Sequence, residues 1–370
     1  MKIAKMQTVA LSLPMDLRKG FGGTDKPRMN PVIVELATDD GLEGFGLAYA
    51  FNDFQVASLK ASMDDLEGVI IGKELKRWAA IWKDLHAALK HTGQWGGYGL
   101  NAIAAIDMAC WDMRAKAAGV PLAHLLGGFR DTVPAYDSNS LQTFKSITEL
   151  QETAAALVKK GFRAMKMRMG EGMPLKDNVT RFRAIRETVG EDVDILVEGH
   201  WSWTVSEAIR VARALEPYNP YWLEDPIGIH NGDISMEDVD GLAELAAAVD
   251  VPVAAGETFS TKYGFRRIVE KRAVDVMIID ILRAGGITEW IKAASLAEAF
   301  NVPVASHCLH DFSRHLVAAV PNGLIVEYMP WWDMIYKEPP QVVDGCFTIA
   351  DTPGVGLELD PAVIAKYRLD

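Results

Sequence analysis

Through the first 50 residues apolar and polar positions alternate one by one, as in strands with one buried face. Ile3–Leu13 alternates, and a Gly-rich polar stretch, Arg18–Arg28, follows. Pro31–Thr38 then runs extended into the turn Asp39-Asp40-Gly41 and on to Gly44–Tyr49. Antiparallel strands are predicted there. Residues 54–125 change period: Ala, Leu and Lys recur at helical spacing, with few breakers before Gly119-Val120-Pro121. Strands followed by a run of helices make an α+β unit.

From about residue 132 the rhythm changes again. Short apolar runs at Val133–Asn139, Arg163–Met169, Asp194–His200, Tyr221–Pro226, Pro252–Glu257, Val274–Asp280, Pro303–Cys308 and Leu324–Met329 alternate with helical stretches such as Val205–Leu215 and Thr288–Phe300. Eight β-then-α units predict a (β/α)₈ TIM barrel in preference to a doubly wound sheet. The segment after Pro330 is irregular, rich in Pro and Gly, and is expected to pack back on the N-terminal unit. The organisation read from the chain is an α+β domain at 1–128, the barrel at 129–330 and a C-terminal segment at 331–370.

The 370 residues are 49% hydrophobic and 24% charged, an ordinary globular balance. A formal net charge of −12 argues against nucleic acid or an anionic membrane as partner. It leaves an anionic substrate open, because a bound cation reverses the local field. Cys110, Cys308 and Cys346 are widely spaced and form no CxxC, so neither a disulfide framework nor a zinc cluster is indicated. The N-terminus lacks the apolar core of a signal peptide, and no run of about 18 apolar residues occurs. A cytoplasmic protein is expected.

The informative charges sit at strand ends. In Met165-Lys166-Met167-Arg168-Met169, alternation puts the methionines on one face and Lys166 and Arg168 on the other. A barrel interior is packed, so two inward cations need anionic company. Glu198 with His200, then Glu224, then Glu257 end the next three strands. Each carboxylate alone reads as a loop acid. Three converging on the face where barrel active sites lie need a cation between them, and all-oxygen ligation favours Mg²⁺ or Mn²⁺ over zinc.

Asp280 ends strand six and His307 lies on strand seven, so the two are expected side by side, the Asp fixing the imidazole tautomer and raising its basicity. A lone buried His is more often merely satisfied by a neighbour; the acids next to it favour a base. Glu327 is an acid in an apolar strand. Burial is expected to push its pKa up, leaving it protonated and able to donate to a developing oxyanion, with a salt bridge at the barrel rim as the plainer alternative. Arg283-Ala284-Gly285-Gly286 reads as a phosphate cradle or, more simply, a Gly-Gly turn. Gly20-Phe21-Gly22-Gly23 reads as a lid or a plain hairpin loop. His310, His315, Trp331 and Trp332 shape the pocket or pack in the core.

Asn101-Ala-Ile-Ala-Ala-Ile-Asp107-Met-Ala-Cys-Trp-Asp112, followed by Gly119-Val120-Pro121-Leu122 and Leu125-Leu126-Gly127-Gly128, resembles the segment that joins the capping domain to the barrel in the mandelate racemase and muconate lactonising group of the enolase superfamily. Lys166-Met-Arg168, Glu224-Asp225-Pro226, Gly256-Glu257, Asp280 with Arg283 to Thr288, His307, Glu327 and the tail Pro353-Gly354-Val355-Gly356-Leu357 fall in that group's order, so the resemblance spans nearly the whole chain.

It implies a capping domain closing over a barrel that holds one Mg²⁺ on Glu198, Glu224 and Glu257. The metal binds a substrate carboxylate, a base removes the α-proton, and the enediolate is held by the cation and an acid opposite. Asp280 with His307 resembles the mandelate racemase subgroup, which includes acid-sugar dehydratases. Three departures stand out. Glu198 replaces the usual Asp. Arg168 replaces a Lys, and since a guanidinium stays protonated it argues against two-base racemisation. His200 stands where Asn is common, as in some sugar-acid dehydratases whose His expels the β-hydroxyl.

The reading that follows is dehydration of an acid sugar to a 2-keto-3-deoxy acid. His307, oriented by Asp280, abstracts the proton, Glu327 stabilises the enediolate, His200 protonates the leaving hydroxyl, and Lys166 and Arg168 hold the carboxylate. Cycloisomerisation of a sugar-acid lactone and epimerisation of a hydroxy or amino acid are the alternatives on the same site. A homo-oligomer is expected, with specificity set near Arg18–Arg28, Asn52, Trp95 and Trp331.

Overall fold

The computed structural model describes residues 1–15, 28–94, 96–170, 172–230 and 233–369. Gly20–Gly23, Trp95 and all of Arg18–Arg28 except Arg28 lie outside the described residues. In the N-terminal domain the central strand Arg28–Thr38 pairs antiparallel with Ile3–Ala10, Leu13–Pro14 and Glu43–Ala50. The first strand ends at Ala10, earlier than its alternation suggests. Its backbone turns to the C-terminal segment: Ser12 N donates to Tyr367 O, and Leu369 N donates to Ala10 O.

Helices Asp53–Asp64, Trp78–Thr92 and Tyr98–Ala118 follow. Asn52 caps the first, its Oδ1 accepting from Gln55 N at 2.9 Å. The long helix Tyr98–Ala118 lies directly on strand Glu43–Ala50. A Cβ at Gly46 would stand 2.0 Å from Ala105 O, so only glycine permits that approach.

Eight parallel strands form the barrel: Thr132–Leu141, Ala164–Arg168, Asp194–Glu198, Leu223–Glu224, Val253–Ala255, Val276–Asp280, Val304–His307 and Val326–Tyr328. The eighth pairs in register with the first, Glu327 opposite Tyr136. Leu324 N to Val304 O at 2.8 Å and Ser306 N to Ile325 O at 3.3 Å close the remaining seam. The capped barrel read from the sequence is therefore the fold. Helices start where capping chemistry dictates: Ser146 with Glu149, and Thr204 with Glu207, form capping boxes ahead of Ile147–Lys159 and Val205–Leu215.

The eighth strand departs from the βα rhythm. It is followed by a 3₁₀ turn, Asp333–Ile335, and by strand Cys346–Thr348, which pairs antiparallel with Thr132–Pro134. Pro339 and Pro340 lack the N–H groups that a helix needs there.

Several contacts join the N-terminal domain to the barrel, and one polar cluster among them centres on Thr288. Asp107 accepts from Thr288 N at 2.8 Å and Thr288 Oγ1 at 2.7 Å, and the indoles of Trp78 and Trp111 each donate to Thr288 Oγ1 at 2.9 Å. Among the described residues no helix is long and apolar enough to cross a membrane.

Candidate active site

Strand period builds the site. Tyr136, Ala164, Leu196, Trp222, Ala254, Ile278, Ala305 and Ile325, each in a barrel strand or immediately before it, belong to a single apolar cluster in the barrel interior. Two residues on, at Lys166, Glu198, Glu224, Asp280, His307 and Glu327, the same inward row becomes charged or titratable. The methionines Met165, Met167 and Met169 face the helices instead. On strand five the matching position is Gly256, at φ +135°, where a Cβ would meet Ile278 O at 2.5 Å; Glu257 reaches the site from the next position.

Lys166 is the hub. Its buried ammonium lies 2.8 Å from Glu198 Oε2, 2.7 Å from Glu224 Oε1 and 2.8 Å from Glu327 Oε1. Trp222 Nε1 donates to the other oxygen of Glu224 at 2.9 Å, and Cys308 N donates to Glu327 Oε2 at 2.6 Å. His307 Nδ1 is 2.5 Å from Asp280 Oδ2, while Asp280 Oδ1 accepts from Leu282 N at 2.7 Å and Arg283 N at 2.8 Å. His307 Nε2 faces Glu257 Oε2 at 3.1 Å, and Arg283 Nη1 donates to Glu257 Oε1 at 2.7 Å.

Carboxylates outnumber cations here, and the proton affinities show it. Burial, then Glu198 and Glu327, push Glu224 up to about 8 against the pull of Lys166. Burial and the neighbouring Glu257, Glu198 and Glu224 raise Asp225 well above the usual range. Burial disfavours charge on Lys166 and His307, yet the surrounding acids raise both well above their ordinary values. Two buried oxygens, Glu198 Oε1 and Asp225 Oδ2, have no hydrogen-bond partner. A surplus of buried oxygen anions with orphaned lone pairs fits a hard divalent cation.

Glu198, Glu224 and Glu257 do not converge on a single point. Lys166 bridges the first two and supplies the compensating charge, and Glu257 turns to Arg283 and His307. Among the described residues the ligating atoms that do lie within 4.8 Å of one another are those of His307, Cys308 and Glu327.

One expectation is corrected. Burial alone would keep Glu327 protonated, but Lys166, His307 and the Cys308 amide outweigh it and bring the carboxyl down to about 2. Glu327 is an ionised acceptor here, and the salt-bridge alternative describes it. Arg283 pairs with Glu257 across the strand-five and strand-six ends. The Gly285-Gly286 stretch is a turn, with φ +100° and +101°, and Thr288 N is taken by Asp107.

His310 lies buried among the rings of Tyr328, Trp332 and Phe347, and His315 bonds Ala123 N and Val355 O; both are core residues. Trp332 is buried, its indole donating to Asp311 at 3.2 Å. Trp331 instead lines the cavity. Asp225 and Cys308 were passed over as site residues, although positive φ marks both, at 38° and 50°, with His200 at 49° on the same rim. Such backbone is strained for non-glycine residues and gathers at functional sites.

Part of this cluster opens on a cavity of about 640 Å³. Lys166, Arg168, Glu198, His200, Glu257 and His307 line it together with Tyr49, Phe51, Met329 and Trp331. Tyr49, Phe51 and Trp331 meet edge to face with centroids 5.5 to 6.4 Å apart.

Fold and site together define a capped (β/α)₈ barrel with an acid cluster and a His–Asp pair at the C-terminal strand ends. Residues 149–363 match the family described as enolase C-terminal domain-like, and residues 12–127 match the mandelate racemase / muconate lactonizing enzyme N-terminal domain. The chain belongs to the enolase superfamily, in its mandelate racemase and muconate lactonizing group.

A 3,6-anhydro-alpha-L-galactonate cycloisomerase of Streptomyces coelicolor is 33% identical over 330 residues, 89% of each chain. A racemase from Streptomyces coelicolor A3(2), crystallised with bound magnesium, superposes with TM-score 0.91 at 31% identity over 99% of this chain and 100% of that one. An L-talarate dehydratase from Polaromonas sp. JS666, complexed with Mg and L-glucarate, gives TM-score 0.90 at 28% identity over 100% and 98%. Dehydratases and cycloisomerases thus both occur among its relatives.

Proposed function

We propose that this protein is a Mg²⁺-dependent enzyme that removes the proton α to a carboxylate and dehydrates an acid sugar to a 2-keto-3-deoxy acid. One observation carries the reading. The Asp280–His307 pair presents Nε2 to the cavity that Lys166, Arg168, Glu198 and Glu257 also line. Glu198, Glu224 and Glu257 would hold the Mg²⁺, which would supply Lewis acidity toward a substrate carboxylate.

The chain's own groups do the rest. Asp280 holds Nδ1–H, so that once the raised imidazolium has lost its proton the lone pair lies on Nε2, the atom that takes the substrate's proton. Lys166 and Arg168 hold the carboxylate and offset the charge that builds on it. Glu327, being ionised, positions Lys166 and the Cys308 amide. His200, on the same cavity wall, protonates the departing β-hydroxyl.

Cycloisomerisation of a ring-bearing acid is the second reading. It is favoured by the aromatic wall of Tyr49, Phe51 and Trp331, whose faces suit the C–H face of a compact ring.

A screen of mono- and diacid sugars with Mg²⁺ and an EDTA control, read as semicarbazones, tests the first reading. A metal-dependent 2-keto product is expected. Solvent deuterium exchange at the α-carbon without ketone formation would move the assignment to cycloisomerase or epimerase. Exchange that persists in a His307→Asn variant would remove His307 as the base.

A further inference from the structure

We propose a second metal site, specific for a thiophilic divalent cation such as Zn²⁺ or Co²⁺, formed by His307 Nε2, Cys308 Sγ and a carboxylate oxygen of Glu327. All three side chains are buried, Glu327 fully, and their ligating atoms lie within 4.8 Å of one another. One donor pair has the spacing that zinc requires. Zn–N of about 2.0 Å and Zn–S of about 2.3 Å at the tetrahedral angle place the two donors about 3.5 Å apart. The observed Nε2 to Sγ separation is 3.5 Å.

The surroundings agree. Asp280 holds Nδ1 of the same ring at 2.5 Å, the carboxylate–histidine arrangement that orients Nε2 toward a metal. A second soft atom, Met329 Sδ, lies 3.6 Å from Cys308 Sγ. His307, Cys308 and Met329 all line the cavity, which gives an ion a route in.

The donor set separates the two sites. Oxygen anions select Mg²⁺, whereas thiolate with imidazole selects zinc or cobalt. On binding, the S–H bond of Cys308 and the N–H bond at Nε2 of a protonated His307 break, both protons pass to buffer, and the S–metal and N–metal bonds form. Thiolate and Glu327 carboxylate then neutralise the dication while the imidazole binds as a neutral ligand. Occupancy takes the lone pair of His307 Nε2, so the ion would shut off proton abstraction. That consequence rests on the proposed function; the site itself does not.

The test is titration of Mg²⁺-saturated protein with Co²⁺. The expected result is one tightly held Co²⁺ per chain with a near-ultraviolet thiolate-to-cobalt charge-transfer band. The band is lost in Cys308→Ser and kept in Cys346→Ser, which carries the half-exposed thiol elsewhere. Circular dichroism confirms that each variant is folded. Metal analysis after desalting gives a second readout, with retained Zn²⁺ falling by one equivalent in Cys308→Ser and in His307→Gln. No band in the parent protein, or a band that survives in Cys308→Ser, overturns the site. Loss of α-proton exchange toward every acid tested would instead strike the proposed function and leave the cobalt result standing.

Discussion

Replacing Asp280 by Asn should silence the base proposed at His307 without loosening the fold. In the native protein Asp280 Oδ1 accepts two backbone N–H groups, from Leu282 and Arg283, and Oδ2 faces His307 Nδ1. A carboxamide has one oxygen, and the two amides claim it. Its NH₂ is then turned on Nδ1, which has to accept, so the neutral ring carries its proton on Nε2. The atom that should take the substrate's proton already holds one. Reversing that tautomer breaks a buried hydrogen bond, costing ~1–3 kcal/mol, and losing the charge-assisted bond to the imidazolium removes ~1.5–3 kcal/mol more. The total of roughly 2.5–6 kcal/mol corresponds to a fall of about 10²- to 10⁴-fold in kcat.

KM should move little, because Asp280 is buried behind the imidazole and reaches the cavity only through it. The assay is α-proton exchange followed by NMR in D₂O with saturating Mg²⁺, alongside thermal denaturation. Asp280→Ala is the control for structure: it orphans both amides and should cost ~2–4 kcal/mol of stability as well. An Asp280→Asn rate within about ten-fold of the parent at unchanged Tm would refute the tautomer argument.

Three further outcomes follow from buried charge. Lys166→Met removes the ammonium shared by Glu198, Glu224 and Glu327 and should destabilise the metal-free protein by ~3–5 kcal/mol; Mg²⁺ should then raise the variant's Tm more than the parent's, and an equal rise would contradict the charge surplus. Asp112 accepts from Val355 N at 2.9 Å and Phe45 N at 3.3 Å, joining helix, hairpin and C-terminal segment. Asp112→Ala should therefore cost ~2–4 kcal/mol in urea denaturation, and a loss under about 1 kcal/mol would show those amides finding other partners. Burial lifts Asp107 from 3.8 to about 7 despite its bonds to Thr288 and Trp78. The folded state binds that proton more tightly, so its stabilisation is complete below about pH 4 and lost as pH rises through about 7. Three units amount to ~4 kcal/mol. Asp107→Asn should flatten the decline across that window, and parallel pH curves would count against it.

What was legible in the sequence and what was not divide along a physical line. Alternation is local, so Lys166, Glu198, Glu224, Asp280, His307 and Glu327 could be assigned to the inward row from the residues beside them, and the structure shows each two positions beyond an apolar interior residue. Adjacent strands are nearly as legible, which is why Asp280 beside His307 was foreseen. Charge partners across the barrel are not. Lys166 on strand two meets Glu327 on strand eight only because the barrel closes, and that contact turns Glu327 from a protonated donor into an ionised acceptor. The pairing of Arg283 with Glu257 is hidden for a related reason. The short helix Ile281–Ala284 leaves strand six and carries its guanidinium back to Glu257 on strand five, 26 residues earlier in the chain. A six-residue window around Arg283 shows a Gly-Gly turn and nothing of Glu257. The missed residues are therefore those whose roles depend on closure of the ring or on the loop that follows a strand. Cys308 is among them, one position past a histidine that alternation points inward and at φ 50°, where the chain has already left strand geometry. Its thiol comes within 3.5 Å of His307 Nε2 because of that turn, and period-two reasoning would have placed it on the opposite face.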